Sequence, residues 1–280
     1  MREFSTIEQL RSALGARGSA TLGFVPTMGN LHAGHLALVE AARKNNDISC
    51  ASIFVNPLQF GANEDLDAYP RTLDEDRRAL LAAGCDVLFL PSAQELYGAD
   101  MASSTRVHVP NLGESFCGSS RPGHFDGVST IVTKLFNIVQ PTDAYFGLKD
   151  FQQYAIIRKM TADLALPITI HGLETIRASD GLALSSRNGY LSAEQRAVAP
   201  ALYRIIQDTG ARIEKGEPDL AALCERARTA LSGAGLRPDY FGIAAADTLT
   251  PAQPGDRELV ILAAAFLGST RLIDNLRVSR

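Results

Sequence analysis

Pro26-Thr27-Met28-Gly29-Asn30-Leu31-His32-Ala33-Gly34-His35 is the stretch on which the reading of this chain turns. It follows an apolar run, Leu22-Gly23-Phe24-Val25, that reads as a buried strand, and it leads into an alanine-rich helical segment at 33–44. A strand passing through a glycine turn into a helix is the opening of a βαβ unit. The free N–H groups and partial positive charge of a helix N-terminus suit phosphate, and two imidazoles add side-chain donors. Two readings of His32 and His35 stand side by side: phosphate ligands, or histidines that only cap and pack. Zinc fits less well, because the metalloprotease pattern spaces its histidines four apart around a glutamate. Here the spacing is three, around Ala33 and Gly34.

Working outward, strand-like runs at 21–25, 49–55, 86–90, 106–109, 143–147 and 168–172 alternate with helical stretches at 33–44, 73–83, 128–139 and 151–164. That alternation predicts an α/β fold, a Rossmann-like, doubly wound and mostly parallel sheet. Ligands of such sheets bind beyond the carboxyl ends of the strands. After Ile176 the pattern changes. A polar loop at 178–188 precedes helices at 193–209 and 219–231 and strands at 240–245, 258–266 and 271–276, with 210–218 as an exposed connection. The expected division is therefore a nucleotide-binding domain at 1–175 and a small α+β domain with antiparallel strands at 176–280.

Composition narrows the function classes. The chain has 280 residues, 46% apolar and 21% charged, near the balance of a globular enzyme. No apolar run is long enough for a transmembrane helix, and Met1-Arg2-Glu3-Phe4 does not read as a secretory signal. Four cysteines without paired spacing fit reduced thiols better than disulfides or a zinc site. A net charge of −4 with no basic block argues against a nucleic-acid partner. A cytoplasmic enzyme or binding protein is expected.

Neither a Walker-type loop nor a strand-linked Gly-x-Gly-x-x-Gly is present, so a nucleotide needs another device, and the histidine turn is the candidate. In Gly147-Leu148-Lys149-Asp150 the lysine neutralises a phosphate or is merely solvated, and Asp150 caps the next helix. Ser185-Ser186-Arg187-Asn188 is a loop that closes over a triphosphate or an ordinary linker. The amides of Asn56, Gln59, Gln152 and Gln153 suit hydroxyls and carboxylates, or belong to polar turns. Glu75 and Asp76 lie in an acidic helix start that is solvated or holds magnesium through water. Arg121, in a glycine-containing loop, is a candidate second anion ligand.

Taken together, these motifs resemble the pantoate–β-alanine ligases (pantothenate synthetases) of the nucleotidyltransferase superfamily with HIGH-type motifs. The resemblance runs nearly end to end, through Pro26–His35, 54–60, Tyr69-Pro70-Arg71, 121–125, 147–150 with Gln152-Gln153, and 180–188. It implies condensation of pantoate with β-alanine through a pantoyl adenylate formed from ATP. It also implies magnesium accompanying ATP, no tightly bound organic cofactor, a homodimer, and a C-terminal domain acting as lid over the ATP site. Carried over by position, Met28, Gly29, Asn30, Leu31, His32, Ala33, Gly34 and His35 line the ATP site, with His35 catalytic. Gly147, Leu148, Lys149, Asp150, Leu184, Ser185, Ser186 and Arg187 contact ATP, and the Ile176 backbone contacts adenine. His32, Lys149, Ser185, Ser186 and Arg187 join His35 in stabilising the reacting phosphate. Gln59 and Gln153 bind pantoate, with Asn56, Met28 and Arg121 as further candidates, and Gln59 borders β-alanine. Ala33, Leu148 and Leu184 depart from the glutamate, glutamate and methionine frequent there, and none removes a phosphate ligand. The rivals are another nucleotidyltransferase of this fold, an aminoacyl-tRNA synthetase, and a non-catalytic nucleotide-binding protein.

Overall fold

In the computed structural model, which describes residues 1–61, 64 and 66–280, the run at 22–25 lies in the middle of a six-stranded parallel sheet. The first part of the chain forms β1 (Arg2–Phe4), α1 (Ile7–Gly15), β2 (Leu22–Thr27), α2 (Ala33–Asn45), β3 (Ile48–Ile53), α3 (Leu73–Ala82), β4 (Val87–Phe89) and α4 (Ala93–Tyr97). It continues through α5 (Cys117–Ser120), α6 (His124–Val139), β5 (Asp143–Gly147), α7 (Phe151–Asp163) and β6 (Thr169–Leu173). The strand order is β1-β4-β3-β2-β5-β6. Interior strands of such a sheet are covered on both faces, which is why β2 reads as unbroken apolar sequence. Leu22, Phe24 and Val25 are buried accordingly.

The chain winds from β2 outward through β3 and β4, then returns to place β5 on the other side of β2. That reversal is a topological switch point, and a crevice is expected beyond the carboxyl ends of β2 and β5. The turn at 28–32 leaves from one of these ends. The expected strand at 106–109 does not join the sheet. The Val107 N–H instead donates to Thr130 Oγ1 on α6 (2.9 Å), so a helix side chain supplies the partner a neighbouring strand would have given.

The remaining elements are α8 (Ala193–Val198), α9 (Ala201–Glu214), α10 (Leu220–Gly233), β7 (Arg237–Ala245), β8 (Glu258–Leu267) and β9 (Thr270–Ser279). The three strands form an antiparallel sheet in the order β7-β8-β9. The helix expected at 193–209 is two helices, because Pro200 has no N–H to continue the ladder. The expected connection at 210–218 is shorter than its composition suggests, since α9 runs on to Glu214. Gly210 lets α9 approach β9: a Cβ there would lie 2.8 Å from Leu276 Cδ2.

Two compact units divide the chain. One holds Met1–Gly113, Arg121–Leu148 and Gln153–Glu174; the other holds Glu114–Ser120, Lys149–Gln152 and Thr175–Arg280. Two short early segments thus group with the C-terminal elements. Among the described residues no helix is long and apolar enough to cross a membrane.

Candidate functional site: the histidine turn, the amide pocket and the serine hairpin

Beyond β2 the backbone takes two consecutive left-handed residues, Gly29 (φ 81°) and Asn30 (φ 49°). The N–H groups of Asn30 and Leu31 then point at one carboxylate, Asp76, at 2.9 and 2.8 Å. His32 is the N-cap of α2. Its Nδ1 accepts from Gly34 N–H (3.1 Å), while His35 Nδ1 accepts from His32 N–H (3.3 Å), and the ring centroids lie 4.1 Å apart. Gly34 is required for this packing, since a Cβ would come within 2.9 Å of the His32 ring. A ring nitrogen that accepts carries no proton, so each neutral imidazole holds its proton on Nε2 and donates from there. Capping and ligand binding are therefore one arrangement: the cap sets the tautomer that makes a donor.

Of the backbone amides that the sequence offered to phosphate, those of Asn30, Leu31, His32 and Gly34 are engaged within the protein, by Asp76 or by the imidazoles. The carboxylates expected to hold magnesium have other partners too. Asp76 is 2% exposed beneath the turn, and Glu75 is exposed and pairs with Arg78 at 3.2 Å. Among the described residues no three His, Cys, Asp or Glu side chains form a metal-binding group.

The amides after β3 form a second part of the first unit. Asn56 is 1% exposed. It donates to Gln59 Oε1 (3.2 Å) and the Gly127 carbonyl (3.0 Å), and it accepts from Leu58 N–H (3.3 Å) and the Tyr97 hydroxyl (2.9 Å). Burial pushes the Tyr97 phenol up to about 12, against the nearby Arg106 charge, so it stays a donor. Asn56, expected near pantoate, brackets Gln59. Among the described residues the Gln59 Nε2–H meets the Met28 thioether (3.0 Å), a weak acceptor that an entering oxygen would outcompete.

Arg121, expected as an anion ligand, faces the protein's own anion. It forks onto Glu64 at 2.7 and 2.5 Å and donates to His124 Nε2 at 2.9 Å. Arginine only donates, so His124 carries its proton on Nδ1 and passes it to the Gln59 carbonyl (2.8 Å). Burial opposes charge on Glu64, but the Arg121 hydrogen bonds and charge outweigh it and hold the carboxyl below its usual range. Gly127 completes the support, because α6 crosses the 57–59 turn so closely that a Cβ would sit 2.3 Å from the Leu58 carbonyl oxygen. Gly127→Ala should cost roughly 1–3 kcal/mol of stability, as overpacking against backbone does. It should also displace Gln59 from its bracket, and a lower Tm checks the strain.

Of the remaining first-unit positions, Gly147 ends β5 with open space where a Cβ would be, and Leu148 is buried. Gln153 is half-buried on α7. Its neighbour Gln152 belongs to the second unit and braces the 114–120 segment, accepting from Cys117 N–H (3.0 Å) and donating to the Ser115 carbonyl (2.7 Å).

In the second unit the polar loop at 178–188 is an ordered hairpin. Ala178 N–H donates to Leu182 O (2.8 Å), Leu184 N–H to Ile176 O (3.0 Å), and Gly181 turns at φ 91°. Ser185 then caps a single 3-10 turn at Ser186–Tyr190, accepting from Arg187 N–H (3.3 Å), and Asn188 ties back to the Ala183 carbonyl (2.9 Å). Arg177 anchors the hairpin to β9 by two hydrogen bonds to buried Asp274 (2.7 and 2.9 Å) and lies over the Tyr203 ring. Asn275, the next residue on β9, donates to the Lys149 carbonyl (2.8 Å). The Lys149 ammonium is mostly sheltered and 3.7 Å from Asp150. Tyr97, His124, Gly127, Arg177 and Asp274 are structural partners that sequence reading did not assign, and Asp76, read there as solvated or a magnesium ligand, accepts from the turn.

Comparison with known proteins gives the family. A family model described as pantoate-beta-alanine ligase matches residues 2–277. Pantothenate synthetases of Azotobacter vinelandii and Pseudomonas putida are 59% and 60% identical, over 99% of this chain and 99% and 98% of theirs. A pantothenate synthetase crystal structure from Thermus thermophilus superposes with a TM-score of 0.94 at 46% identity, covering all of both chains. A pantoate-beta-alanine ligase from Francisella tularensis, complexed with beta-gamma ATP and beta-alanine, gives 0.81 at 32% identity, over 99% of this chain and 97% of that one.

Proposed function

The chain belongs to the pantoate-beta-alanine ligase family, and from that premise we propose that it joins pantoate to β-alanine using ATP, through an enzyme-bound pantoyl adenylate. The pantoate carboxylate attacks the α-phosphorus, the bond to the bridging oxygen breaks, and pyrophosphate leaves. The β-alanine amine, after losing a proton, attacks the acyl carbon, and AMP leaves as pantothenate forms. Negative charge builds on the α-phosphate oxygens in the first step, so preorganised donors aimed there supply most of the rate. The observation that carries the reading is the paired cap, which makes His32 and His35 neutral Nε2–H donors at the mouth of the parallel sheet.

In this reading Met28–His35, Gly147, Leu148, Asp150, Leu184 and the Ile176 backbone line the nucleotide, and Lys149, Ser185, Ser186 and Arg187 meet its phosphates. Magnesium arrives as MgATP, part of the substrate. Gln59 and Gln153 take pantoate, Gln59 borders β-alanine, and Asn56 and Arg121 act by holding the Gln59 turn. The partners are small molecules, with neither nucleic acid nor membrane among them, and the reading of a cytoplasmic homodimer rests on the family resemblance and the four free cysteines. The test is pantoate-dependent exchange of labelled pyrophosphate into ATP without β-alanine. Exchange, followed by pantothenate on adding β-alanine, is the expected result. Folded protein that exchanges nothing sinks the adenylate; exchange without pantothenate sinks the second step.

A further inference from the structure

Consecutive left-handed residues turn their following N–H groups to one side, making a concavity that elsewhere holds anions such as phosphate. At 29–30 that concavity is filled from within. Asp76 reaches from the first turn of α3, is 2% exposed, and takes Asn30 N–H on Oδ2 and Leu31 N–H on Oδ1. Gly29 is fitted to it, since a Cβ would lie 3.0 Å from Asp76 Oδ2 and 3.1 Å from Ile53 Cγ2. The next residue is His32, whose N–H goes to His35 and whose ring takes Gly34. The carboxylate and the two imidazole caps thus take successive backbone N–H groups of one short segment, Asn30 and Leu31 by Asp76 and His32 and Gly34 by the imidazoles.

We infer that Asp76 is a positioning residue for adenylate formation: its carboxylate stands in for an anion in the turn and fixes where His32 and His35 present their Nε2 protons. The inference deepens the ligase reading and rests on it for the chemistry, though not for the geometry. Phosphate does not enter the 29–31 concavity, and Asp76 acts through the imidazoles rather than through magnesium. Asparagine cannot replace it. Its amide has one acceptor oxygen, so one of the two backbone N–H groups would face a donor.

The experiment compares Asp76→Asn, Asp76→Ala and Gly29→Ala with the parent protein. The Gly29 variant keeps the carboxylate but crowds it and strains the same turn at φ 81°. In the ligand-free protein, 15N imidazole spectra should give His32 and His35 as Nε2-protonated tautomers, and each variant should convert them to mixtures. Pantoate-dependent exchange should fall about 10²-fold in kcat, the usual cost of misplacing a catalytic group by an ångström. The KM for pantoate and the magnesium concentration for half-activation should stay within twofold. Unchanged tautomers with unchanged kcat in Asp76→Asn overturn the inference. A magnesium requirement shifted upward overturns it in favour of a metal ligand, and a loss that merely follows Tm and recovers on cooling reduces Asp76 to a fold residue. If the parent protein exchanges nothing with pantoate, the ligase reading fails while the tautomer comparison still decides the positioning.

Discussion

His35→Ala is expected to lower pantoate-dependent pyrophosphate exchange by about 10²–10³-fold, the ~3–4 kcal/mol that one preorganised donor supplies to a charged transition state. Two roles of the ring are removed together, and other substitutions separate them. As a cap, His35 Nδ1 accepts from His32 N–H, and losing a cap costs about 1 kcal/mol of stability. In a unit of this size that lowers Tm by only roughly 2–4 °C, too little to explain the activity loss at assay temperature. His35→Asn places an acceptor near the position of Nδ1 and nothing at Nε2. It should keep the parent Tm and be as inactive as alanine. His35→Gln offers an N–H near the position of Nε2 and should recover part of the turnover at a lower Tm. An asparagine variant with near-parental exchange would remove the ring proton from the mechanism.

The local grammar around this turn was legible because strand, glycine and helix follow one another within the sequence window. β2, α2 and β5 lie close to their expected positions, and the doubly wound sheet follows from their alternation. β1 was missed because Arg2-Glu3-Phe4 is a short, charged edge strand whose pairing with β4 appears nowhere in its own composition. The start of α6 was placed late because Gly123 and Gly127 read as loop. Gly127 is helical, and its missing side chain makes room for the Leu58 carbonyl. Two charged side chains have partners that the sequence window does not reach, for one cause. Asp76 looks like a solvated first-turn acid, but its partners are 46 and 45 residues away. Arg121 looks like a free cation, but Glu64 lies 57 residues away. A charged side chain's partner is a tertiary fact, and periodicity does not reach it.

The other large effect lies at the base of the serine hairpin. Asp274→Ala should destabilise the second unit by about 3–5 kcal/mol, the usual result of stranding one half of a buried ion pair. Asp274 is 4% exposed, and its side chain accepts twice from Arg177 and once from Asn275 N–H. Without it the Arg177 guanidinium keeps the Gly181 carbonyl and the Tyr203 ring but has no counter-charge. In a unit of about a hundred residues the loss should lower Tm by roughly 10 °C or more. Replacing both partners, as Arg177→Met with Asp274→Leu, removes the stranded charge and should restore much of that stability. It does not restore the two hydrogen bonds that aim the hairpin from β9, nor the Asp274 contact beside Asn275, whose side chain holds the Lys149 carbonyl. The double variant should therefore melt near the parent temperature and still exchange pyrophosphate slowly, with the deficit in kcat. Parental turnover in that stable double variant would show that the hairpin needs no anchor on β9, and that Ser185, Ser186 and Arg187 reach their working positions by themselves.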